Sequence, residues 1–160
     1  MSLFSGQVVW VPFIGFFFWH CYKTKGRSST LYFGLFLLLA IVASDVTSSY
    51  ILKNIVNRLR PCREVDLKPL IYSFGQKCGG KYGFVSSHAA NSIALLFFSL
   101  KTLHLGKWSW ALWLIPFIVS FSRIYLGVHY PGDILGGAVV GILWGYTFSY
   151  FYNSYQGARR

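Results

Sequence analysis

Five long apolar stretches leave this chain few folds to choose from. They lie at about 5–22, 29–52, 86–104, 107–126 and 133–153. A helix rising 1.5 Å per residue needs about 20 apolar residues to cross the roughly 30 Å hydrocarbon core of a bilayer. Each stretch meets or approaches that length, so the pattern predicts an all-α, polytopic membrane helical bundle of about five transmembrane helices. The whole chain, 1–160, reads as one integral-membrane domain. Charged residues make up only 12% of it, against about 25% in soluble domains. That is too little charge to cover a surface in water, and lipid is the expected solvent. Disorder, which needs low hydrophobicity and high charge, is excluded. Trp and Tyr gather near the ends of the last two stretches, as interfacial belts do. The first stretch does not read as a signal peptide, because Met1 to Gln7 lacks a basic region and no small-residue cleavage site follows.

The charges lie between and at the ends of these stretches. Lys23, Lys25 and Arg27 form a basic turn after the first. The longest connection, about 61–85, holds Pro61, Pro69 and several Gly and is too polar for lipid. Its middle, EVDLKPLIYSFGQ, could rest on headgroups. The net charge is +11, and the only acids are Asp45, Glu64, Asp66 and Asp133. Four acids cannot build a carboxylate-rich metal cage. The bases are not laid along one polar face, so no nucleic-acid partner is expected. The excess points instead to membrane lipid headgroups or a phosphate substrate. Five crossings put the termini on opposite sides. If Lys53, Arg58, Arg60, Arg63, Lys68, Lys77, Lys81 and Arg123 serve a substrate, then Lys23, Lys25, Arg27, Lys101, Lys107, Arg159 and Arg160 become the positive-inside signal. The N-terminus and the long loop then face outward. In the fifth stretch Gly137, Gly141 and Gly145 recur every four residues, the mark of a close helix–helix seam.

Three short segments concentrate polar residues at the ends of these stretches. In the first, Lys53 and Arg60 are seven apart, so on a helix they share a face about 10 Å apart. Pro61 would end that helix. Two bases snorkelling at an interface would look the same. In the second, Ser86-Ser87-His88 opens the third span. Ser is a good N-cap, and the free N–H groups of a first turn bind anions beside His88. Ordinary capping is the plain alternative. In the third, Ser122-Arg123 is followed by His129 and Asp133, which are four apart across a turn. A carboxylate there can fix one imidazole tautomer and leave the other nitrogen free to attack. It can equally be a simple N-cap.

Alternating spans bring all three segments to one membrane surface. Lys53, Arg60 and Arg123 suit an anion, and two histidines and one carboxylate stand among them. A zinc site of His88, His129 and Asp133 is the competing chemistry. Three nearby cations would repel a metal ion but suit a phosphoryl group, whose transfer depends on positioning and charge neutralisation.

K-x6-R-P, then S-x-H, then S-R-x5-H-x3-D resembles the three-part signature of the type 2 phosphatidic acid phosphatase superfamily of membrane lipid phosphatases. The motifs cover Lys53 to Asp133, and the span pattern extends the resemblance along the chain. It implies a metal- and cofactor-independent phosphatase. His129 would be the nucleophile and form a phosphohistidine. Asp133 would orient it, and His88 would protonate the leaving oxygen and then activate water. Lys53, Arg60, Ser86, Arg123 and the Ser87 backbone would hold the phosphate. Two departures stand out. The usual P-S-G-H is Val85-Ser86-Ser87-His88 here, and the usual six spans are about five. The substrates implied are undecaprenyl diphosphate, lipid A phosphate, phosphatidylglycerol phosphate and phosphatidic acid, met at the periplasmic face of a bacterial inner membrane. The stretches GGKYGFVSSH and SRIYLGVHYPGD are most like undecaprenyl-diphosphatase-type members. A catalytically silent lipid-phosphate binder or transporter on the same bundle is the alternative from another class. The complete His129–Asp133 pair with His88 argues against it, since binding alone needs only the cations.

Other residues carry less. Asp45 lies inside the second span, where an acid invites a functional reading, though a bond to Ser or Thr on a neighbouring helix would account for it. His20 and His104 read as interfacial, and the motif does not claim Arg58. Cys62 and Cys78 share the long loop and could be a disulfide or two thiols.

Overall fold

The computed structural model describes residues 10–67, 71 and 78–158. The N-terminal start of the first stretch, most of the EVDLKPLIYSFGQ segment, and Arg159 and Arg160 lie outside the described residues. The regular structure of the described part is all helical, with no strand beyond an isolated antiparallel bridge between Leu59 and Tyr82. Helix α1 spans Trp10–Asp45 and continues through a π-helical segment, Val46–Leu52, into the short α2, Lys53–Val56. After a 3-10 turn at Pro61–Arg63 come α3, Ser87–Thr102, and a second 3-10 segment, Lys107–Trp113. Then follow α4, Leu114–Tyr125, and α5, Pro131–Gly157.

Helix α1 is not straight. Gly26 takes φ 78° and ψ 176° in its middle, a conformation open to glycine because it has no Cβ. The chain folds back there, within the basic turn. Phe18 and Phe33 would stand about 22 Å apart on a straight helix, yet their ring centroids are 5.5 Å apart. The first two expected stretches are thus the two arms of one folded helical run.

The core at this end is aromatic. Phe33 of α1, Phe98 of α3 and Tyr152 of α5 meet with centroids 5.2, 6.0 and 6.1 Å apart, and all three are fully buried. Lys25 Nζ donates to the Thr102 carbonyl at 2.6 Å, tying the bend to the end of α3.

Helices α3 and α5 pack backbone to backbone. A Cβ on Gly141 would strike the Ala90 carbonyl oxygen and lie 3.0 Å from the Ala94 nitrogen. One on Gly145 would lie 2.9 Å from the Ala94 carbonyl oxygen. The glycine spacing therefore marks a close seam, as expected.

The outward faces are apolar. Leu31, Leu35, Leu38, Val42 and Val46 form an exposed stripe on α1 and its π-helical extension. Leu135, Val139, Leu143, Tyr146 and Tyr150 form another on α5. Water-soluble monomers rarely expose continuous apolar faces of this size. Two helical runs, Trp10–Val56 and Pro131–Gly157, are long and apolar enough to cross a bilayer. Helix α3 has 16 residues and is largely buried inside the bundle, and the stretch at 107–126 is divided between a 3-10 segment and α4.

Candidate active site

Helix α3 begins where Ser86 caps it. The Ser86 side chain accepts from the Ala89 N–H at 3.5 Å, and its own N–H donates to the Asp133 carbonyl at 2.9 Å. That second bond joins the start of α3 to the start of α5. His88 stands in the first turn of α3 with its side chain exposed. Ser87 accepts from Lys53 Nζ at 3.2 Å, so the lysine reaches across from α2 to this same turn.

Lys53 and Arg60 do not share a helix face, contrary to the spacing argument. The helix ends at Val56 because Asn57 turns left-handed (φ 51°) and its N–H returns to the Lys53 carbonyl at 3.1 Å. Asn tolerates that conformation better than most residues. Arg60 is extended, as a residue before proline should be. It reaches the site by another route. Its Nε donates to the Tyr82 carbonyl at 3.2 Å, and its side chain packs against Gly83. A Cβ on Gly83 would lie 3.3 Å from Arg60 Cγ and 3.1 Å from Asp133 Oδ2. A disulfide between Cys62 and Cys78, Cα atoms 6.0 Å apart, closes the loop beside it.

The third segment folds back on the end of α4. The N–H groups of Val128 and His129 both point to the Arg123 carbonyl, at 3.1 and 3.3 Å. Gly127 makes the turn at φ 63°. Arg123 and His129 are thereby held together, with 8% and 3% of their surface exposed. Nε and Nη2 of Arg123 have no hydrogen-bond partner. Buried donors are costly to leave unpaired, so this guanidinium is poised for an acceptor that arrives with a ligand.

Asp133, wholly buried, sits in the first turn of α5. Its Oδ2 accepts the Tyr130 N–H at 2.9 Å and lies 3.4 Å from His129 Nδ1. The carboxylate thus holds one imidazole nitrogen and leaves the other free. Burial pushes the His129 imidazole below its ordinary value of 6.5. The hydrogen bond to Asp133 opposes that shift, and Arg60 and Lys53 add to it. Arg123, His129, Lys53 and Arg60 all lie within electrostatic reach of His88.

The structure therefore brings together the eight residues singled out in the sequence: Lys53, Arg60, Ser86, Ser87, His88, Arg123, His129 and Asp133. It adds Arg58, whose Nη1 lies 3.4 Å from Asp133 Oδ1. Its place inside the K-x6-R-P segment was the one available signal. Asp45 does bond within the bundle, but to Asn91 Nδ2 of α3 at 2.9 Å and to Ser49 of its own run at 3.3 Å. No three His, Cys, Asp or Glu side chains among the described residues gather closely enough to hold a metal ion.

The described helices form a bundle with exposed apolar faces, and a buried His–Asp pair stands among cationic side chains at one end of it. The chain belongs to the PAP2 superfamily, whose family model matches residues 33–156. It is 37% identical over 150 residues to a lipid A 4'-phosphatase of Bacteroides thetaiotaomicron, covering 92% of this chain and 66% of the relative. It is 32% identical over 158 residues to a lipid A 4'-phosphatase of Porphyromonas gingivalis, covering 98% and 65%. An undecaprenyl-diphosphatase of Sulfolobus acidocaldarius is 27% identical over 144 residues, covering 88% and 62%. The chain thus spans just under two thirds of the length of these curated relatives. No solved structure matches it significantly.

Proposed function

We propose that this protein hydrolyses a phosphate group from a membrane lipid phosphate through a phosphohistidine on His129. His129 Nε2 attacks phosphorus while the bond to the lipid oxygen breaks, and His88 gives that oxygen its proton. The imidazole becomes cationic as the P–N bond forms, and Asp133 offsets that charge. In the second step His88 takes a proton from water, whose oxygen attacks phosphorus. The P–N bond breaks, and inorganic phosphate leaves with His129 neutral again. Lys53, Arg60, Arg123 and the first turn of α3 at Ser86 and Ser87 hold the equatorial oxygens. Such fixed charges act best where water is excluded.

The observation that carries this reading is the buried His129–Asp133 pair beside Arg123, whose Nε and Nη2 lack partners. Binding alone would need the guanidinium but not the oriented imidazole. Among substrates, a lipid phosphomonoester of the lipid A class is the first candidate. The two lipid A 4'-phosphatases match more of the chain, at higher identity, than the undecaprenyl-diphosphatase. The two arms of α1, α3, the 107–126 segment and α5 make the five crossings of this reading. The site then opens at the outer headgroup level, and the Lys23–Arg27 turn lies on the cytoplasmic side.

Purified protein should release phosphate from lipid phosphomonoesters with a chelator present, and vanadate should block it. His129→Ala should abolish release and leave no acid-labile phosphoprotein. Lipid-phosphate binding without release from any lipid would replace this reading with a binder or transporter. Activity lost to the chelator and restored by zinc would replace it with a metal mechanism.

A further inference from the structure

We propose that Arg58 is a positioning residue for the His129–Asp133 pair. It locks the carboxylate in the orientation that presents Oδ2 to the imidazole and draws part of the carboxylate's charge away from it. This rests on the phosphohistidine reading above.

Each oxygen of the Asp133 carboxylate has its own neighbours. Oδ2 takes the Tyr130 N–H at 2.9 Å and faces His129 Nδ1 at 3.4 Å. Oδ1 faces Arg58 Nη1 at 3.4 Å. The guanidinium also lies over the Tyr130 ring, its central carbon 4.0 Å from the centroid. Tyr130 therefore grips the arrangement twice, through its N–H to Oδ2 and its ring to Arg58. The Arg58 backbone is fixed as well, since its carbonyl accepts the Gly83 N–H at 2.9 Å. Arg58 is spent on Asp133, whereas Arg123 keeps Nε and Nη2 open. The two arginines are thereby given different work, one on the carboxylate and one on the ligand.

The consequence falls on His129. Asp133, Arg60 and Lys53 act on its ring electrostatically, His88 lies within electrostatic reach of it, and Asp133 is the one group among these that favours the imidazolium. With Arg58 paired to it, the carboxylate supports the imidazolium less, and the attacking nitrogen stays neutral to lower pH. Without Arg58 the carboxylate is less firmly oriented, which lowers kcat, while the Tyr130 N–H still keeps Oδ2 beside Nδ1.

The test compares wild type, Arg58→Gln, Arg58→Lys and Tyr130→Leu on an aryl phosphate across pH. The companion readout is carbethoxylation of His129, located by mass spectrometry and titrated over the same range. This second readout follows the neutral imidazole and needs no turnover. For R58Q we expect kcat about tenfold lower with KM within about threefold of wild type, the sign of an interaction made mainly in the transition state. The acid limb of kcat/KM and the carbethoxylation midpoint should both move up by roughly half a pH unit, since Arg58 is 42% exposed and its field is screened. R58K should restore both positions. Y130L, which keeps the N–H to Oδ2, should shift both in the same direction by less. If R58Q does not fold, wild-type positions in Y130L overturn the proposal. A raised KM with unmoved kcat and midpoint would make Arg58 a phosphate ligand and also overturn it. If wild type releases no phosphate, the phosphatase reading fails, and the carbethoxylation midpoints still decide the role of Arg58.

Discussion

Replacing Asp133 by Asn isolates the charge of the buried pair from its shape. The amide has two possible orientations. With its NH2 toward Oδ2's place it would confront the Tyr130 N–H, a fixed backbone donor 2.9 Å away. With its oxygen there it accepts from both Tyr130 and His129, and the NH2 faces Arg58, which is 42% exposed and can swing aside. The second orientation wins, so Asp133→Asn keeps the imidazole tautomer and loses only the negative charge. That charge matters when His129 becomes cationic. At the observed 3.4 Å, opposite unit charges in an effective dielectric of about 20 attract by about 4–5 kcal/mol. Each 1.36 kcal/mol is a decade in rate, so kcat should fall by about 10³-fold while KM changes little. The assay is initial-rate phosphate release from a lipid phosphomonoester, with thermal unfolding as the control for folding. A loss of less than tenfold in folded protein would refute the electrostatic argument and leave Asp133 as an N-terminal cap of α5. A loss equal to that of His129→Ala would mean that the tautomer had been lost too and that the orientation argument was wrong.

Burial lowers the His129 imidazole below 6.5. In the proposed mechanism the attacking form is the neutral one, so the acid limb of kcat/KM should lie below pH 6.5, and a limb above it would contradict the buried geometry. His88→Ala should cost about 10²–10⁴-fold on a lipid phosphomonoester but far less in the first step with an aryl phosphate, whose leaving group needs no proton. Phosphohistidine should then accumulate, and equal losses on both substrates would remove His88 from acid–base duty. Gly141→Val should destabilise by about 1–3 kcal/mol through overpacking against Ala90 and Ala94. Gly15→Ala, where an added Cβ meets nothing within 4 Å, should not lower the melting temperature in detergent. Reducing the Cys62–Cys78 bond, 16 residues apart in sequence, should cost about 3 kcal/mol of stability on the chain-entropy account, read as a lower melting temperature with reductant.

Much of the site was legible because each of its parts obeys a local rule. Ser86 announces a helix start, and His129 and Asp133, four apart across a turn, announce their pairing. Gly137, Gly141 and Gly145 announce their seam by spacing alone. What could not be read depends on conformations or partners that spacing does not encode. Asn57 adopts a left-handed conformation that most residues avoid, and this one residue takes Arg60 off the helix that carries Lys53. The fold-back at Gly26 requires a positive φ that glycine permits but does not demand. Arg58 meets Asp133 across 75 positions of chain, and Asp45 meets Asn91 across 46. Neither contact leaves a local mark. The Cys62–Cys78 choice needed the distance between their backbones.

The α3–α5 seam also explains how a small bundle can hold its chemistry in register. In lipid, apolar side chains gain little by leaving one another's company for the acyl chains, so helices associate through close backbone packing of small residues. Here that packing joins the two helices whose first turns carry His88 and Asp133. His88 leads α3 and Asp133 leads α5, and the Ser86 N–H bonds to the Asp133 carbonyl at 2.9 Å just above the glycines. A Cβ on Gly137 would come within 2.5 Å of the Ser86 carbonyl oxygen, so the same contact that packs the helices also sets the height of the Ser86 cap. The aromatic cluster of Phe33, Phe98 and Tyr152 sits at the other end, where bulk is tolerated. Small residues are thus placed where two helix starts must be held close, and large ones where the helices need only stay together.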